Sequence, residues 1–348
     1  MRRILPGFIA SSLLLSGAPL RAGIPYYPDL VPATTLIVPF FEVGIDVATN
    51  SDDTLLSVAN RVQATRIIHY TVWDVLGRAA FSGNVTLAPR AHWSASMRDL
   101  LGSQGVHVKN QLTVGDQAYR GFVSIDVVTT ATTIDPRQLN YPLSMANDIE
   151  GFIYYTRLAE GSANGLRMLP LETFARSKYS SQYQGFYHED DNLEVISNRA
   201  RKCAQSITTG YSCGGGFTIS SLDNRLFGST PLNGRTRLIV FMWEPRYGEE
   251  AGPTDFCLRN ASWPGCVENG TVYRMTIYPE SGSAVASEIT LPNVVNVIDL
   301  EVPYSGRVRI ENIPDYHQLF YTFAFNSAYP SDNPALTWDA IFEGYVVP

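Results

Sequence analysis

The sequence predicts an all-β fold: two related antiparallel β-sandwich (Ig-like) units with an inserted loop region between them. Three observations predict it. Short apolar runs recur along the chain, some continuous and some alternating with polar residues. Clusters of Gly, Ser, Asn and Asp separate them. Segments of the first half also recur, in the same order, in the second.

Composition supports this reading. The chain has 348 residues, 45% hydrophobic and only 17% charged, with 27 Gly, 21 Pro, 19 Tyr and 16 Phe. A disordered chain would be poorer in apolar residues and richer in charge. A coiled coil would need charge-rich heptads. The net charge is −7. The densest basic run, Arg199-Ala200-Arg201-Lys202, follows Asp190, Asp191 and Glu194, so no basic face for a nucleic acid is expected.

In chain order, residues 1–22 come first. Met1-Arg2-Arg3 gives a positive start, Ile4 to Leu15 is largely apolar, and Leu20-Arg21-Ala22 offers a small residue for cleavage. This is the pattern of a secretory signal peptide, too short to span a bilayer. Cleavage after Ala22 removes three positive charges and takes the net charge from −7 to −10. No later segment carries 18 uninterrupted apolar residues, so no transmembrane helix is expected in the mature chain. The expected location is secreted, periplasmic or at a bacterial cell surface.

The first β-unit is read over residues 23–175. Leu36–Phe41 is a continuous apolar run, as in a strand covered on both faces. Val123-Ser124-Ile125-Asp126-Val127 alternates, as in a strand with one face in water. Turns are expected at Asn50–Asp53 and at Ser82-Gly83-Asn84, and short helices at Ser94–Leu101 and Leu171–Lys178. The second unit is read over 235–348. Leu238–Trp243 repeats the continuous run, Val308–Glu311 repeats the alternation, and turns are expected at Ser281-Gly282-Ser283 and Tyr304-Ser305-Gly306.

The repeat rests on matches that keep the same order in both halves. Leu36–Glu42 pairs with Leu238–Glu244, and Tyr70–Trp73 with Met275–Tyr278. Ser82 and Val85–Leu87 pair with Ser287 and Ile289–Leu291. Gly121–Ile125 pairs with Gly306–Ile310. Phe152–Tyr155 pairs with Phe320–Phe323, and Thr173-Phe174 with Ile341-Phe342.

Between the units, residues 176–234 are polar and rich in Gly, Ser and Tyr, and are read as a disulfide-bearing insert or linker. The four cysteines form two close pairs, Cys203 with Cys213 and Cys257 with Cys266. Exported chains form such bridges, each worth about 2–3 kcal/mol. Zinc would need closer cysteine spacing or neighbouring histidines.

Candidate chemistry is sparse. Gly210-Tyr211-Ser212-Cys213-Gly214 fits G-x-S-x-G, but the strand-turn-helix context of a nucleophile elbow is missing, so Ser212 is a weak nucleophile candidate. Glu189, Asp190 and Asp191 are weak metal-ligand candidates without calcium-loop spacing. Tyr179, Tyr183, Phe186 and Tyr187 are weak binding candidates: a sugar or protein contact patch, or staples of the insert. Glu42 and Glu244 occupy similar strand ends, and paired carboxylates can serve glycoside hydrolysis. His69, His92, His107 and His317 are dispersed, and His69 and His92 read as structural.

Leu36–Val43, Thr54–Asn60, His69–Trp73, Met97–Leu101, Gly121–Val128 and Leu238–Pro245 together resemble uncharacterised bacterial secreted proteins with aromatic-rich duplicated β-domains. The resemblance implies an exported β-protein and carries over no catalytic residue. The expected function is a non-enzymatic one in binding, adhesion or extracellular structure, with a glycan or surface protein as partner and no cofactor. The alternatives are an exported hydrolase of polysaccharide or ester and an outer-membrane barrel.

Overall fold

The computed structural model describes residues 32–44, 52–104, 118–138, 140–144, 146–157, 162–171, 221–229, 234–243, 266–267, 270–311, 319–328, 338–343 and 345–346. Within them the chain is all-β, with a single short helix. The first half contains β1 (Thr35–Gly44), β2 (Asp53–Asn60), β3 (Arg66–Asp74), β4 (Ala79–Leu87), β5 (His92–Ser96), α1 (Met97–Gln104), β6 (Ala118–Val128), β7 (Ile149–Arg157), β8 (Ser162–Arg167) and β9 (Leu169–Leu171). The second contains β10 (Ser221–Leu226), β11 (Arg235–Trp243), β12 (Cys266–Val267), β13 (Gly270–Pro279), β14 (Val285–Leu291), β15 (Val295–Leu300), β16 (Gly306–Glu311), β17 (Leu319–Ala328), β18 (Trp338–Glu343) and β19 (Tyr345–Val346).

The strands form four antiparallel sheets. Sheet I runs β4-β3-β6-β1-β9 and sheet II runs β5-β2-β7-β8. Sheet III runs β12-β13-β16-β10-β19, with β14 also on β13, and sheet IV runs β15-β11-β17-β18. Without β12, sheet III has the order of sheet I, and sheet IV has the order of sheet II. The pairing plan therefore occurs twice: β10 holds the place of β1, β11 that of β2, and β13 to β19 those of β3 to β9.

The registers agree residue by residue. Tyr70 faces Ile125 and Trp73 faces Phe122; at the matching places Met275 faces Ile310 and Tyr278 faces Arg307. The matches of β3 with β13 and of β6 with β16 are thus geometric as well as textual. Three other matches shift. The run in β1 resembles β11, yet β1 lies between β6 and β9 while β11 lies between β15 and β17. Both runs are apolar because both strands are covered on two faces, so their likeness reflects burial. The true counterpart, β10, lies inside the stretch 176–234 that reads as an insert. Gly83, not Ser82, stands where Ser287 stands, because Tyr70 faces Gly83 and Met275 faces Ser287. Tyr155 points toward sheet I and Phe323 away from sheet III, so their match is out by an odd number of residues, three, which inverts the face.

Local chemistry explains other departures. Ser82-Gly83-Asn84 is not a turn but the middle of β4. The turn lies at Val75–Arg78, where the Asp74 carboxylate accepts from the amides of Leu76 and Arg78 at 2.9 Å, and Gly77 takes φ 83°. Gly83 is in the strand because the Tyr70 ring lies over it; a Cβ there would come 2.4 Å from the Tyr70 hydroxyl. Gly282 does make its turn, at φ 109°. The first helix starts at Met97, since Ser94–Ser96 complete β5 and the Ser96 hydroxyl caps α1 by accepting from the Asp99 amide at 3.2 Å. Leu171 ends β9, and 172–178 lie outside the described residues.

Sheets I and II share one core. Leu36, Val38, Val123 and Ile125 of sheet I meet Leu56, Val58 and Ile153 of sheet II, and Tyr70 stacks on Trp93 at 5.5 Å. Sheets III and IV share another, built from Leu222, Tyr273, Val308 and Ile310 with Leu238, Val240 and Ala324. The other side of sheet IV belongs to the first core through Ile239, Phe241 and Phe323. Phe241 meets Phe122 edge-on at 5.2 Å, and Phe122 stacks on Trp73.

The polar row of β6 is also covered, contrary to the expectation of a wet face. Ser124 and Asp126 are fully buried. Ser124 accepts from the Trp73 indole at 2.9 Å, and Asp126 accepts from Tyr141 at 2.8 Å and from Thr35. Alternation reported the side-chain types correctly, but a following segment and sheet IV cover the outer face.

Gly121 and Gly306 are counterparts, and both are required by space. A Cβ on Gly121 would lie 2.0 Å from the Trp73 carbonyl, and one on Gly306 would lie 2.1 Å from the Tyr278 carbonyl. Gly121→Ala is expected to cost about 3 kcal/mol or more, because a backbone must move. Gly102→Ala on α1, where nothing lies within 4 Å, should instead stabilise by about 1 kcal/mol. Urea unfolding of both variants checks the contrast.

Candidate functional site

The alternation of β11 builds the site. Its even residues, Leu238, Val240 and Met242, enter the second core. Its odd residues face the first half, apolar at Ile239 and Phe241 and charged at Arg235 and Arg237. In the flanking strands Asp299 and Phe325 are the register partners of Arg237, and Ser327 is that of Arg235. The apolar middle of sheet IV seals against the first half. Its charged end diverges and leaves a cleft of about 300 Å³.

The first half supplies the opposite wall, with Asp52 before β2 and Arg157 at the end of β7. Arg98 on α1 fixes that region by donating to the carbonyls of Gly44 and Asp52, each at 2.8 Å. The Arg157 guanidinium lies 5.1 Å over the Phe325 ring, a cation–π contact between the halves.

Beneath the cleft sits Glu42, buried at the end of β1. Arg120 donates to its Oε1 at 2.7 Å from the neighbouring strand. Arg237 of the second half reaches its Oε2 at 3.0 Å and also holds Asp299 at 2.9 Å. Burial alone would raise the Glu42 pKa; the charges of Arg120 and Arg237, the Arg120 hydrogen bond and the charge of Arg157 outweigh it and hold the group below its ordinary value. Glu42 is therefore an ionised anchor and has no proton to give. Nearby Tyr155 is pushed well up, first by burial and then by Glu42, and its hydroxyl donates to the Phe40 carbonyl at 2.9 Å.

Three guanidiniums, three carboxylates, the Ser327 side chain and the Phe325 ring thus border the cleft. Arg235 is exposed and makes no ion pair with any described residue. Such a lining can hold hydroxyl pairs or an anionic group through charge-assisted hydrogen bonds.

Of the residues singled out by sequence, Glu42 is found at this site, with a structural role. Its supposed mate Glu244 lies outside the described residues. So do Ser212, Glu189, Asp190, Asp191, Tyr179, Tyr183, Phe186 and Tyr187, and Cys203, Cys213 and Cys257; the backbone of Cys266 opens β12. His107 and His317 also lie outside. His69 is fully buried on β3, its Nδ1 bonded to Asn84 Oδ1 at 3.1 Å. Its register neighbour Asp126 accepts from Thr35 and Tyr141. His92 lies at the exposed start of β5. Among the described residues no group of three or more His, Cys, Asp or Glu is placed to hold a metal ion. No described helix is long and apolar enough to cross a membrane.

Arg157, Arg235, Arg237 and Asp299 escaped sequence reading. One signal existed: Arg235-Thr236-Arg237 puts two charges at period two before an apolar run, so one face of a strand changes character along its length.

No family model and no curated protein matches the sequence. Among solved structures there is a similarity to the M60 catalytic domain with the CBM51-1 and CBM51-2 domains of ZmpB from Clostridium perfringens, at 7% identity and a TM-score of 0.15. It covers 88% of this chain, which spans about a third (33%) of that structure.

The anchor gives a pH prediction. The Glu42 pKa is depressed on folding, so its contribution is present above the unfolded value and is lost as pH falls through the folded one. Glu42→Gln should cost about 3 kcal/mol at neutral pH, by removing the buried carboxylate charge that Arg120 and Arg237 share. Its stability should also fall less steeply than wild type below pH ~4. Urea midpoints measured across pH test both; parallel acid profiles would refute the assignment.

Proposed function

We propose that this is an exported, non-enzymatic binding protein whose ligand seat is the cleft between its two halves. On this reading a signal peptide at 1–22 directs it to the periplasm, the cell surface or the medium. Two related β-sandwich units form its body, with bridges Cys203–Cys213 and Cys257–Cys266. The ligand is a polyhydroxylated or anionic glycan.

One observation carries the reading. The second half turns a charged row, Arg235 and Arg237 with Asp299, toward Arg157 and Asp52 of the first half, with Phe325 beside them. Charge-bearing side chains are costly to gather at a junction unless something uses their hydrogen bonds. The buried carboxylate beneath them is neutralised by guanidiniums, which suits support of the walls better than proton transfer.

Binding is tested by titrating purified protein against neutral and acidic glycan panels. Arg235→Ala should weaken binding of the best ligand about tenfold, the value of one charge-assisted hydrogen bond. The melting temperature should hold, because Arg235 is exposed and outside the Glu42 network. Unchanged affinity in Arg235→Ala and Arg157→Ala would remove the cleft as the seat.

A further inference from the structure

The halves share a pairing plan but not their surroundings. Counterparts in sheets II and IV follow from two equivalent hydrogen bonds. The Asn60 amide donates to the Ala91 carbonyl at 2.9 Å, and the Met242 amide donates to the Val294 carbonyl at 2.8 Å, each just before the next strand. Counting back five residues, Leu55 stands where Arg237 stands, and their partners Tyr154 and Phe325 correspond. Phe152 then corresponds to Phe323.

In sheet IV these rings are buried between the halves. Phe323 and Phe325 are 0% and 5% exposed, and both meet Phe40 and Tyr155 at centroid distances of 4.9–6.4 Å. In sheet II the same places lie open: Tyr154 is 43% exposed and its cross-strand neighbour Leu55 is 37% exposed. Around them Ser57, Ser94, Ser96 and Gly165 hold adjoining register positions, while Arg167 stands opposite Phe152, and Glu150 and Asp53 lie two residues before Phe152 and Leu55 on the same face.

The receiving face has a counterpart too. On the outer side of sheet I, Trp73 and Phe122 stack at 5.6 Å and take Phe241 of sheet IV edge-on. At the matching places of sheet III stand Tyr278 and Arg307. The guanidiniums of Arg307 and Arg309 lie 4.9 and 5.0 Å over the Tyr278 ring. Buried Asp223 bridges the pair, at 2.6 Å from Arg309 and 3.3 Å from Arg307. Arg307 is exposed and Tyr278 half-buried, so the platform is open.

We propose that the outer face of sheet II docks on the outer face of sheet III in a second copy of this chain. The contact repeats between molecules the arrangement that joins the halves within one. The internal junction names the occupant: there, a sheet of the II/IV kind sits on the outer side of a sheet of the I/III kind. Tyr154 and Phe152 supply rings to guanidiniums already stacked on Tyr278, a favourable cation–π pairing. The two faces differ, so the contact is heterologous and propagates head to tail.

Sedimentation of the purified full chain over a concentration series tests this. Wild type is expected to grow beyond dimers. Tyr154→Glu and Arg307→Ala should each lose association by at least tenfold, and an equimolar mixture of the two should form a one-to-one heterodimer. In that mixture the Arg307→Ala protein brings an intact sheet II face and the Tyr154→Glu protein an intact sheet III face. Leu55→Glu and Tyr278→Ala repeat the test at neighbouring positions, and complementation itself demonstrates folding. A wild type that stays monomeric overturns the proposal. So does an Arg307→Ala protein that still dimerises, the mark of sheet II pairing with itself, or a mixture that does not complement.

Discussion

The side chains of β11 point alternately into two different cores, and the rest of the molecule is arranged around that fact. A strand with one wet face could let the two halves move apart. Here the odd residues Ile239 and Phe241 belong to the first half's core and the even residues Leu238 and Val240 to the second's. Separating the halves would expose one face of sheet IV and the rings of Phe122, Phe40 and Tyr155. Each such aromatic contact adds about 0.5–1.5 kcal/mol beyond simple burial. The junction is consequently as much a core as either half.

This explains what could be read in the sequence. Continuous apolar strands, alternating strands and the correspondence of β3 with β13 and of β6 with β16 were legible, because each rests on a local residue pattern. The correspondence of β1 with β11 was misleading for a physical reason: burial on two faces selects the same residues whatever the neighbours. The short, polar β10, with Asp223 and Asn224 inside it, gave no apolar run to recognise. The cleft was illegible because Asp52, Arg157, Arg237 and Asp299 come from four separate segments, and only the register brings them together.

The two copies of one plan have diverged by burial. Where sheet I carries Trp73, Phe122 and Ser124, sheet III carries Tyr278, Arg307 and Arg309. The former row is covered and satisfies its polar atoms internally, as Trp73 does with Ser124. The latter lies toward solvent and uses ion pairs to Asp223 and Glu311. Identical backbone positions thus accept indole or phenol, and phenyl or guanidinium, according to what lies above them.

The irregularity in β1 reaches further than its size suggests. Between Val38 and Phe41, two residues, Pro39 and Phe40, oppose the single residue Phe122. The matching strand β10 runs in plain register opposite β16. If the same residues ran in plain register past Val38, Glu42 would lie opposite Tyr119 rather than Arg120 and would point into the apolar core. The direction in which this carboxylate meets Arg237 is therefore set by the two-for-one pairing at Pro39 and Phe40. Deleting one residue at Pro39 would therefore straighten β1 into plain register and still leave Phe41 opposite Gly121 and Glu42 opposite Arg120, so the irregularity is where this strand can gain or lose a residue without turning Glu42 inward.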